Sequence, residues 1–109
     1  MKPVNWLADS RETLKDFPAE ARQLCGYQLD RLQRGESPHN WKPMPSIGAD
    51  VNEIRIHAGN EYRVIYIAKF AEAVYVLHAF AKKTRKTSAH DIELAAHRYR
   101  ALLNSRREP

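Results

Sequence analysis

Residues 52–81 read NEIRIHAGNEYRVIYIAKFAEAVYVLHAFA and contain three short runs rich in β-branched and aromatic residues. The runs cover residues 52–58, 61–68 and 73–81, and each gap between them is no longer than a turn. Runs of this composition joined by short connections are typical of consecutive antiparallel strands. The segment therefore predicts a three-stranded antiparallel meander at the centre of the fold.

The chain before the meander predicts an edge strand and two helices. PVNWLA is a short apolar stretch that suits the edge strand, and Asp9 with Glu12 resembles a capping box that starts a short helix. Pro18 suits the first turn of a second helix, which Gly35 ends. Apolar residues of the second helix fall at helical spacing on one face, namely Ala21, Leu24, Cys25, Leu29 and Leu32.

The chain on either side of the meander completes the predicted architecture. Residues 36–50 hold three prolines and predict a long loop. After the meander, Ser88 can cap a last helix with Asp91 at its third position. The order βααβββα predicts an α+β fold, with a small antiparallel sheet, an N-terminal helical hairpin and a C-terminal helix. We expect the helices on one face of the sheet and a free binding surface on the other.

Length and composition restrict the class of protein. The 109 residues predict one domain over residues 1–109, with a globular composition of 43% hydrophobic and 28% charged residues. A single cysteine, Cys25, excludes an intramolecular disulfide, and no Cys/His spacing is typical of a zinc site. The sequence contains neither a signal-peptide pattern nor a membrane-length apolar run, so a cytoplasmic location is expected.

The positive charge is concentrated near the C-terminus. The formal net charge is +5, and eight of the eighteen Lys and Arg residues lie between Lys82 and Arg107. The first four form a cluster directly after the last predicted strand: Lys82, Lys83, Arg85 and Lys86. This asymmetry favours a polyanion or an acidic protein as the partner, although a basic helix end can also be only a solvated surface.

Strand alternation predicts which side chains share a face of the sheet. Ile54 and Ile56 can enter the core while Glu53, Arg55 and His57 point away. In the second strand, alternation places Tyr62, Val64 and Tyr66 on one face and Arg63, Ile65 and Ile67 on the other. In the third strand, one face carries Val74, Val76, His78, Phe80 and Lys82, and the other carries Tyr75, Leu77, Ala79, Ala81 and Lys83.

Arg63 is an unusual residue inside the run YRVIYI, because a strand buried on both faces would have to desolvate its guanidinium. We therefore expect Arg63 to face a polar or solvated surface. The alternative is an ion pair with Glu53 or Glu61 that ties strands together.

Three segments resemble the RelE/ParE superfamily of toxins from bacterial type II toxin-antitoxin modules, in particular its phage-derived, HigB-like branch. They are EIRI at 53–56, EYRVIYI at 61–67 and VLHAFAKKTRKTSAHDIELAAHRY at 76–99. The resemblance implies a compact α+β fold. It also implies a ribonuclease that cuts mRNA in the ribosomal A site and is neutralised by an antitoxin, usually a helix-turn-helix protein.

The resemblance also implies site residues. Arg55 and Arg63 match the basic residues of the strands, and Lys82 and Lys83 match the paired basic residues after Phe80. These four would act on the phosphate in catalysis. Three further basic residues are candidates for contacts to RNA or the ribosome: Arg85, Lys86 and Arg98.

Cleavage of RNA by its own 2′-hydroxyl needs a base, an acid and cations for the growing phosphate charge, and it requires no metal or other cofactor. The candidate acid and base are His57, at the outward end of its strand, His78 and Tyr66. We expect His78 in the core. Trp41 could stack on a base or anchor its loop. The competing function is a non-catalytic toxin, similar to ParE proteins, that binds and poisons DNA gyrase.

Overall fold

The computed structural model describes residues 1–107. Its elements, in chain order, are β1 (Val4–Trp6), α1 (Ser10–Lys15), α2 (Ala19–Gln33), β2 (Trp41–Pro43), β3 (Val51–Ala58), β4 (Asn60–Ile67), β5 (Val74–Lys82) and α3 (Ala89–Arg107). The predicted α+β class, the helical hairpin and the C-terminal helix are confirmed. The strand β2 is an addition to the predicted order.

The five strands form one sheet in the order β1-β5-β4-β3-β2. The meander of β3, β4 and β5 is antiparallel, as predicted, and β1 joins β5 in parallel at one edge. Gly59 lies between β3 and β4 with a φ of +79°, a conformation that a side chain would disfavour. This tight connection sets the register in which His57 lies opposite Glu61.

The prediction of a loop over residues 36–50 is wrong at its centre, where β2 pairs with β3. Trp41 lies opposite Ile54, and Lys42 lies opposite Glu53. Pro43 is tolerated because β2 is an edge strand, where one backbone donor can remain outside the ladder. A strand of three residues is too short to show the alternation by which strands are recognised in a sequence.

The first face of the sheet is covered by α1 and α2. The buried side of α2 contains Ala21, Cys25, Leu29 and Leu32, with Leu24 partly buried, as the spacing predicted. These side chains pack on one another and on Ile54, Ile56, Tyr62, Val64, Tyr66, Val74, Val76 and Ala79 from the meander. The alternation predicted for β3 and β4 is therefore confirmed.

The second face is not free, which corrects the prediction of a one-sided helical layer. The helix α3 packs over Ile65, Ile67 and Leu77 and buries Ala95 and Leu102 there. Because β4 carries apolar residues on both faces at this end, both faces need a cover. Within residues 1–107, the charged side chains of the strands on this face extend from Glu53, which lies opposite Ile65, to the β3–β4 turn.

A β-bulge in β5 overturns the predicted division of its faces. Ile65 pairs with His78 and Tyr66 pairs with Val76, so Leu77 is an extra residue between the two pairs. The bulge moves His78, Phe80 and Lys82 to the second face, and Ala79 and Ala81 to the first. A bulge leaves no period in the sequence, because it shifts the alternation by one residue.

The two predicted helix caps have different outcomes. The Ser88 hydroxyl accepts a 3.1 Å hydrogen bond from the Asp91 amide and donates one of 2.6 Å to the Asp91 carboxylate, so this cap is confirmed. The capping box at Asp9 is wrong, since its side chain makes no hydrogen bond to the start of α1. Its carboxylate instead accepts a hydrogen bond from Arg98 on α3.

None of the helices within residues 1–107 has the length and apolar character needed to cross a lipid bilayer.

Candidate active site

The uncovered end of the second face carries a cluster of ionisable side chains, which we name the charged patch. Its position follows from the strand register, which places Arg55 opposite Arg63, His57 opposite Glu61, and Glu61 opposite Lys82. The members of the charged patch are Lys42, Glu53, Arg55, His57, Glu61, Arg63 and Lys82. The meander thus brings together four of the predicted catalytic residues, Arg55, His57, Arg63 and Lys82.

Arg63 and Glu53 form the buried floor of the charged patch. Arg63 is 6% exposed and Glu53 is 0% exposed, and the Arg63 Nε lies 3.6 Å from the Glu53 Oε1. The Arg63 Nη1 also donates to Glu61 at 3.1 Å and to the Tyr62 carbonyl at 2.9 Å. Arg63 therefore faces a polar surface, as expected, but it is buried there and not solvated, and the alternative of an ion pair with Glu53 or Glu61 is confirmed.

The pKa of Lys82 reflects the charges that surround it in the charged patch. Its pKa is lowered, first by desolvation and then by the charge of Arg63, with smaller contributions from Lys42 and Arg55. Glu53 acts in the opposite direction. The patch thus holds four basic side chains, counted with Lys82 itself, against the two carboxylates of Glu53 and Glu61. Because the cations crowd one another, a bound phosphate would relieve their repulsion.

His57 and Glu61 form a hydrogen-bonded pair at the rim of the charged patch. The His57 Nδ1 contacts the Glu61 Oε2, and the His57 Nε2 lies 3.4 Å from the Asn40 side-chain nitrogen. This pairing with His57 is the largest cause of a lowered pKa at Glu61, to which Arg63 adds, while partial burial opposes it. The His57 side chain is 60% exposed, so an approaching substrate can reach its imidazole.

The other two acid–base candidates lie outside the charged patch. His78 is buried, as expected, and its Nε2 is hydrogen-bonded to Asp91 at 2.7 Å. Desolvation lowers the pKa of His78, against the opposing effect of Asp91. Tyr66 is buried on the first face, and its burial raises its pKa to about 12. Of the three candidates, His57 is the one that the fold places beside Arg55 and Lys82.

The predicted contact of Arg98 with RNA is not supported by its position. Arg98 is buried, donating to the Leu77 carbonyl at 2.9 Å and to the Asp9 carboxylate at 2.6 Å. The periodicity of α3 suggested a solvated face, but Arg98 lies over the bulge in β5 and hydrogen-bonds to its backbone. Arg98 thus ties α3 to β5 and to the start of α1.

The predicted basic segment after β5 is exposed. Lys83, Arg85 and Lys86 all face solvent, and a cleft of about 180 Å³ lies between this segment and the start of α3. Lys82, Lys83 and Lys86 line the cleft, together with Phe80 and Asp91. The basic segment therefore continues the positive surface of the charged patch toward α3.

Two remaining residues lie away from the charged patch. Trp41 is 42% exposed, and its pairing with Ile54 places it on the first face, opposite the patch. Cys25 is buried in the core, as expected, and burial raises its pKa to about 12. Within residues 1–107, no group of three or more His, Cys, Asp or Glu side chains could hold a metal ion.

The sequence over residues 12–100 matches the family model described as Phage derived protein Gp49-like (DUF891). The chain belongs to this family. The Gp49-like family is of RelE toxin-like type, which agrees with the resemblance to toxins of toxin-antitoxin modules. The HigB-like branch stays a prediction. No curated protein matches the sequence.

Sequence reasoning did not place Asn40, Lys42 or Glu61 beside the predicted site residues. Asn40 and Lys42 lie in the segment predicted as a loop, so their position depends on the unpredicted strand β2. Glu61 could have been found, because a turn at Gly59 and Asn60 sets residues 57 and 61 opposite each other. The sequence pattern suggested Glu61 only as a partner for Arg63.

Proposed function

We propose that this Gp49-like protein is the toxin of a type II toxin-antitoxin module and a metal-independent endoribonuclease that cuts mRNA on the ribosome. The observation that carries the proposal is the charged patch. Arg55 on β3 and Lys82 on β5 lie there on one sheet face, on either side of β4, and the accessible imidazole of His57 lies on the same face. Cations for a phosphate together with a nearby base are what RNA cleavage by its own 2′-hydroxyl requires.

Arg55 and Lys82 bind the scissile phosphate in this proposal. Both are partly exposed, Arg55 lies opposite the buried Arg63, and the charge of Arg63 acts on Lys82. The planar guanidinium of Arg55 can donate two parallel hydrogen bonds to phosphate oxygens, while Lys82 supplies a compact charge. Since the phosphate gains negative charge as the bond to the 2′-oxygen forms, these cations stabilise the transition state more than the ground state.

Arg63 is buried beneath the proposed phosphate site and does not contact the phosphate directly. This revises the expectation that Arg63 acts on the phosphate by direct contact. Its guanidinium is held by Glu53, Glu61 and the Tyr62 carbonyl. It contributes positive charge under the phosphate site, and it fixes the position of Glu61.

His57 is the base. Its Nε2 takes the proton from the 2′-hydroxyl, the 2′-oxygen attacks phosphorus, and the bond to the 5′-oxygen breaks. The products are a 2′,3′-cyclic phosphate and a 5′-hydroxyl, and the leaving oxygen takes up one proton. The ammonium group of Lys82, with its lowered pKa, is placed to supply that proton or to stabilise the oxygen.

The exposed segment with Lys83, Arg85 and Lys86 binds the RNA backbone of the ribosome or of the mRNA. Unopposed positive charge on this segment attracts nucleic acid without regard to sequence.

The partner that neutralises the toxin is proposed to be a helix-turn-helix antitoxin that covers part of this surface. Expression of the chain alone is expected to arrest growth, and co-expression of that antitoxin is expected to restore it.

The test is primer extension on mRNA translated in a reconstituted system with purified protein. Arg55→Ala and Lys82→Ala are each expected to lower the cleavage rate on the order of 10²-fold, because each removes a charge that acts in the transition state. Lys69→Ala is the matched control. It removes one lysine charge near the opposite end of β4, where Lys69 pairs with Asp50, and should leave the rate unchanged.

Cleavage that survives both Arg55→Ala and Lys82→Ala would overturn the assignment of the charged patch. A parent protein that cuts no mRNA but stops the supercoiling reaction of purified gyrase would replace the proposed activity with the ParE-like one.

A further inference from the structure

Glu61 connects the buried floor of the charged patch to its exposed base. One carboxylate oxygen, Oε2, contacts the His57 Nδ1, and the other, Oε1, accepts a 3.1 Å hydrogen bond from the Arg63 Nη1. Glu61 is therefore held from both sides. Neither the proposed binding of phosphate nor the proposed transfer of a proton assigns it a function.

The contact of His57 with a carboxylate decides which nitrogen of the neutral ring holds the proton. An ionised carboxylate has only acceptors, so the neutral imidazole must present its N–H to Glu61 from Nδ1. The lone pair then lies on Nε2. Asn40 supports this arrangement, because its side-chain nitrogen is a donor and lies 3.4 Å from the same Nε2.

The carboxylate is suited to this task because it stays ionised. The pKa of Glu61 is lowered, chiefly by its hydrogen bond to His57 and further by Arg63. Arg63 is itself fixed by the Tyr62 carbonyl and by the ion pair with Glu53. A buried ion pair thus holds a partly exposed carboxylate at one place, although the side chain of His57 is 60% exposed.

We propose that Glu61 is the positioning residue of the site, which holds His57 with its proton on Nδ1 and its lone pair on Nε2, where the long contact with Asn40 gives way to the 2′-hydroxyl of the substrate. The proposal rests on the proposed function, in which His57 is the base. Without the carboxylate, the exposed imidazole rotates and takes either tautomer, so a smaller fraction of the molecules has a base at the correct atom. A positioning residue touches no substrate, so RNA binding should remain while the rate falls.

The first measurement is independent of activity. Nitrogen-15 NMR of the folded protein at alkaline pH reports which ring nitrogen of a neutral histidine carries the proton. The parent should show the Nδ1–H form at His57. Glu61→Ala should move the population toward the Nε2–H form, and Glu61→Asp should restore part of the Nδ1–H form because it keeps a carboxylate. Glu93→Ala removes one exposed carboxylate from α3 and serves as the control.

The second measurement separates rate from binding. In single-turnover cleavage, Glu61→Ala is expected to lose on the order of 10- to 100-fold in rate with RNA affinity changed less than threefold. Glu61→Asp should recover part of the rate. Thermal unfolding of each variant excludes a merely structural loss, because an unfolded fraction would reduce both quantities together.

The outcomes of the two measurements distinguish two failures. If the parent cuts RNA and Glu61→Ala leaves both the tautomer and the rate unchanged, the positioning proposal is overturned and the proposed function survives. If the parent cuts no RNA, the proposed function fails. The positioning proposal then fails with it as a statement about catalysis, even when the tautomer changes as expected.

Discussion

The two faces of the sheet are built from alternate residues of the same strands, yet they differ in what covers them. On the first face, α1 and α2 enclose an apolar layer in which Ile54, Val64 and Val76 are fully buried. On the second face, α3 covers only the end that carries Ile65 and Ile67. The uncovered end therefore tolerates charged residues, and it is where the charged patch lies. The exposed charged surface is created by partial cover of one face, and not by leaving a whole face open.

The largest expected effect concerns the one ion pair in residues 1–107 of which both side chains are almost fully buried. Arg63→Met should lower the free energy of unfolding by about 3–5 kcal/mol, because it leaves the Glu53 charge buried without its partner. Urea denaturation monitored by circular dichroism measures the loss.

A double variant and an exposed pair make this test specific. Glu53→Gln in the Arg63→Met background should recover part of the stability, since it removes the unpaired charge. Lys69→Met breaks the exposed pair with Asp50 and should cost less than about 1 kcal/mol. If Arg63→Met costs no more than Lys69→Met, the floor of the charged patch is solvated and the contrast between the faces is smaller than described.

The second expected effect is on the first face. Ile54→Ala removes a fully buried side chain beneath α2 and should cost about 2–5 kcal/mol in stability. At a temperature where this variant remains folded, its cleavage rate and RNA affinity should match those of the parent. A loss of cleavage in the folded variant would mean that the first face also contributes to the site.

The sequence predicted the regular parts of both faces, and the reasons are local. Alternation in β3 and β4 separates Ile54 and Val64 from Arg55 and Arg63, so the apolar face and the charged residues were both identified correctly. The caps at Gly35 and Ser88 are short-range signals, and both helix ends lie where these signals placed them.

The irregular parts could not be predicted, because each depends on contacts between distant segments. The bulge at Leu77 moves Phe80 and Lys82 to the opposite face of the sheet, and the residue composition of β5 does not indicate it. Arg98 reads as a surface residue on α3 until the fold brings the Leu77 carbonyl and Asp9 to it. Tertiary pairing of this kind overrides a local pattern.

A smaller effect is expected where α3 begins to cover the second face. Ser88→Ala removes the acceptor for the Asp91 amide and should cost about 1 kcal/mol in the free energy of unfolding. Ser88→Thr keeps a hydroxyl that can accept from the Asp91 amide and donate to the Asp91 carboxylate, so it is the matched variant. Thermal denaturation measures both, and equal melting temperatures for Ser88→Ala and the parent would contradict the assigned cap.

The smallest expected effect is on RNA affinity, and it concerns the exposed segment beside the charged patch. Each phosphate contact releases condensed counterions, so the logarithm of the binding constant falls linearly with the logarithm of the salt concentration. Lys83→Ala and Arg85→Ala should each reduce the steepness of that dependence by about one unit, because each removes one exposed positive charge. Fluorescence anisotropy with a labelled single-stranded RNA between about 50 and 200 mM salt measures the slope.

The control for this measurement is Lys15→Ala, which removes an equal charge from the exposed end of α1, in the layer on the first face. Its slope should equal that of the parent. If all three variants reduce the slope equally, RNA affinity depends on the net charge of the whole molecule. The second face then contributes no more to binding than the rest of the surface. If only Lys83→Ala and Arg85→Ala reduce it, the RNA lies along the segment that joins β5 to α3.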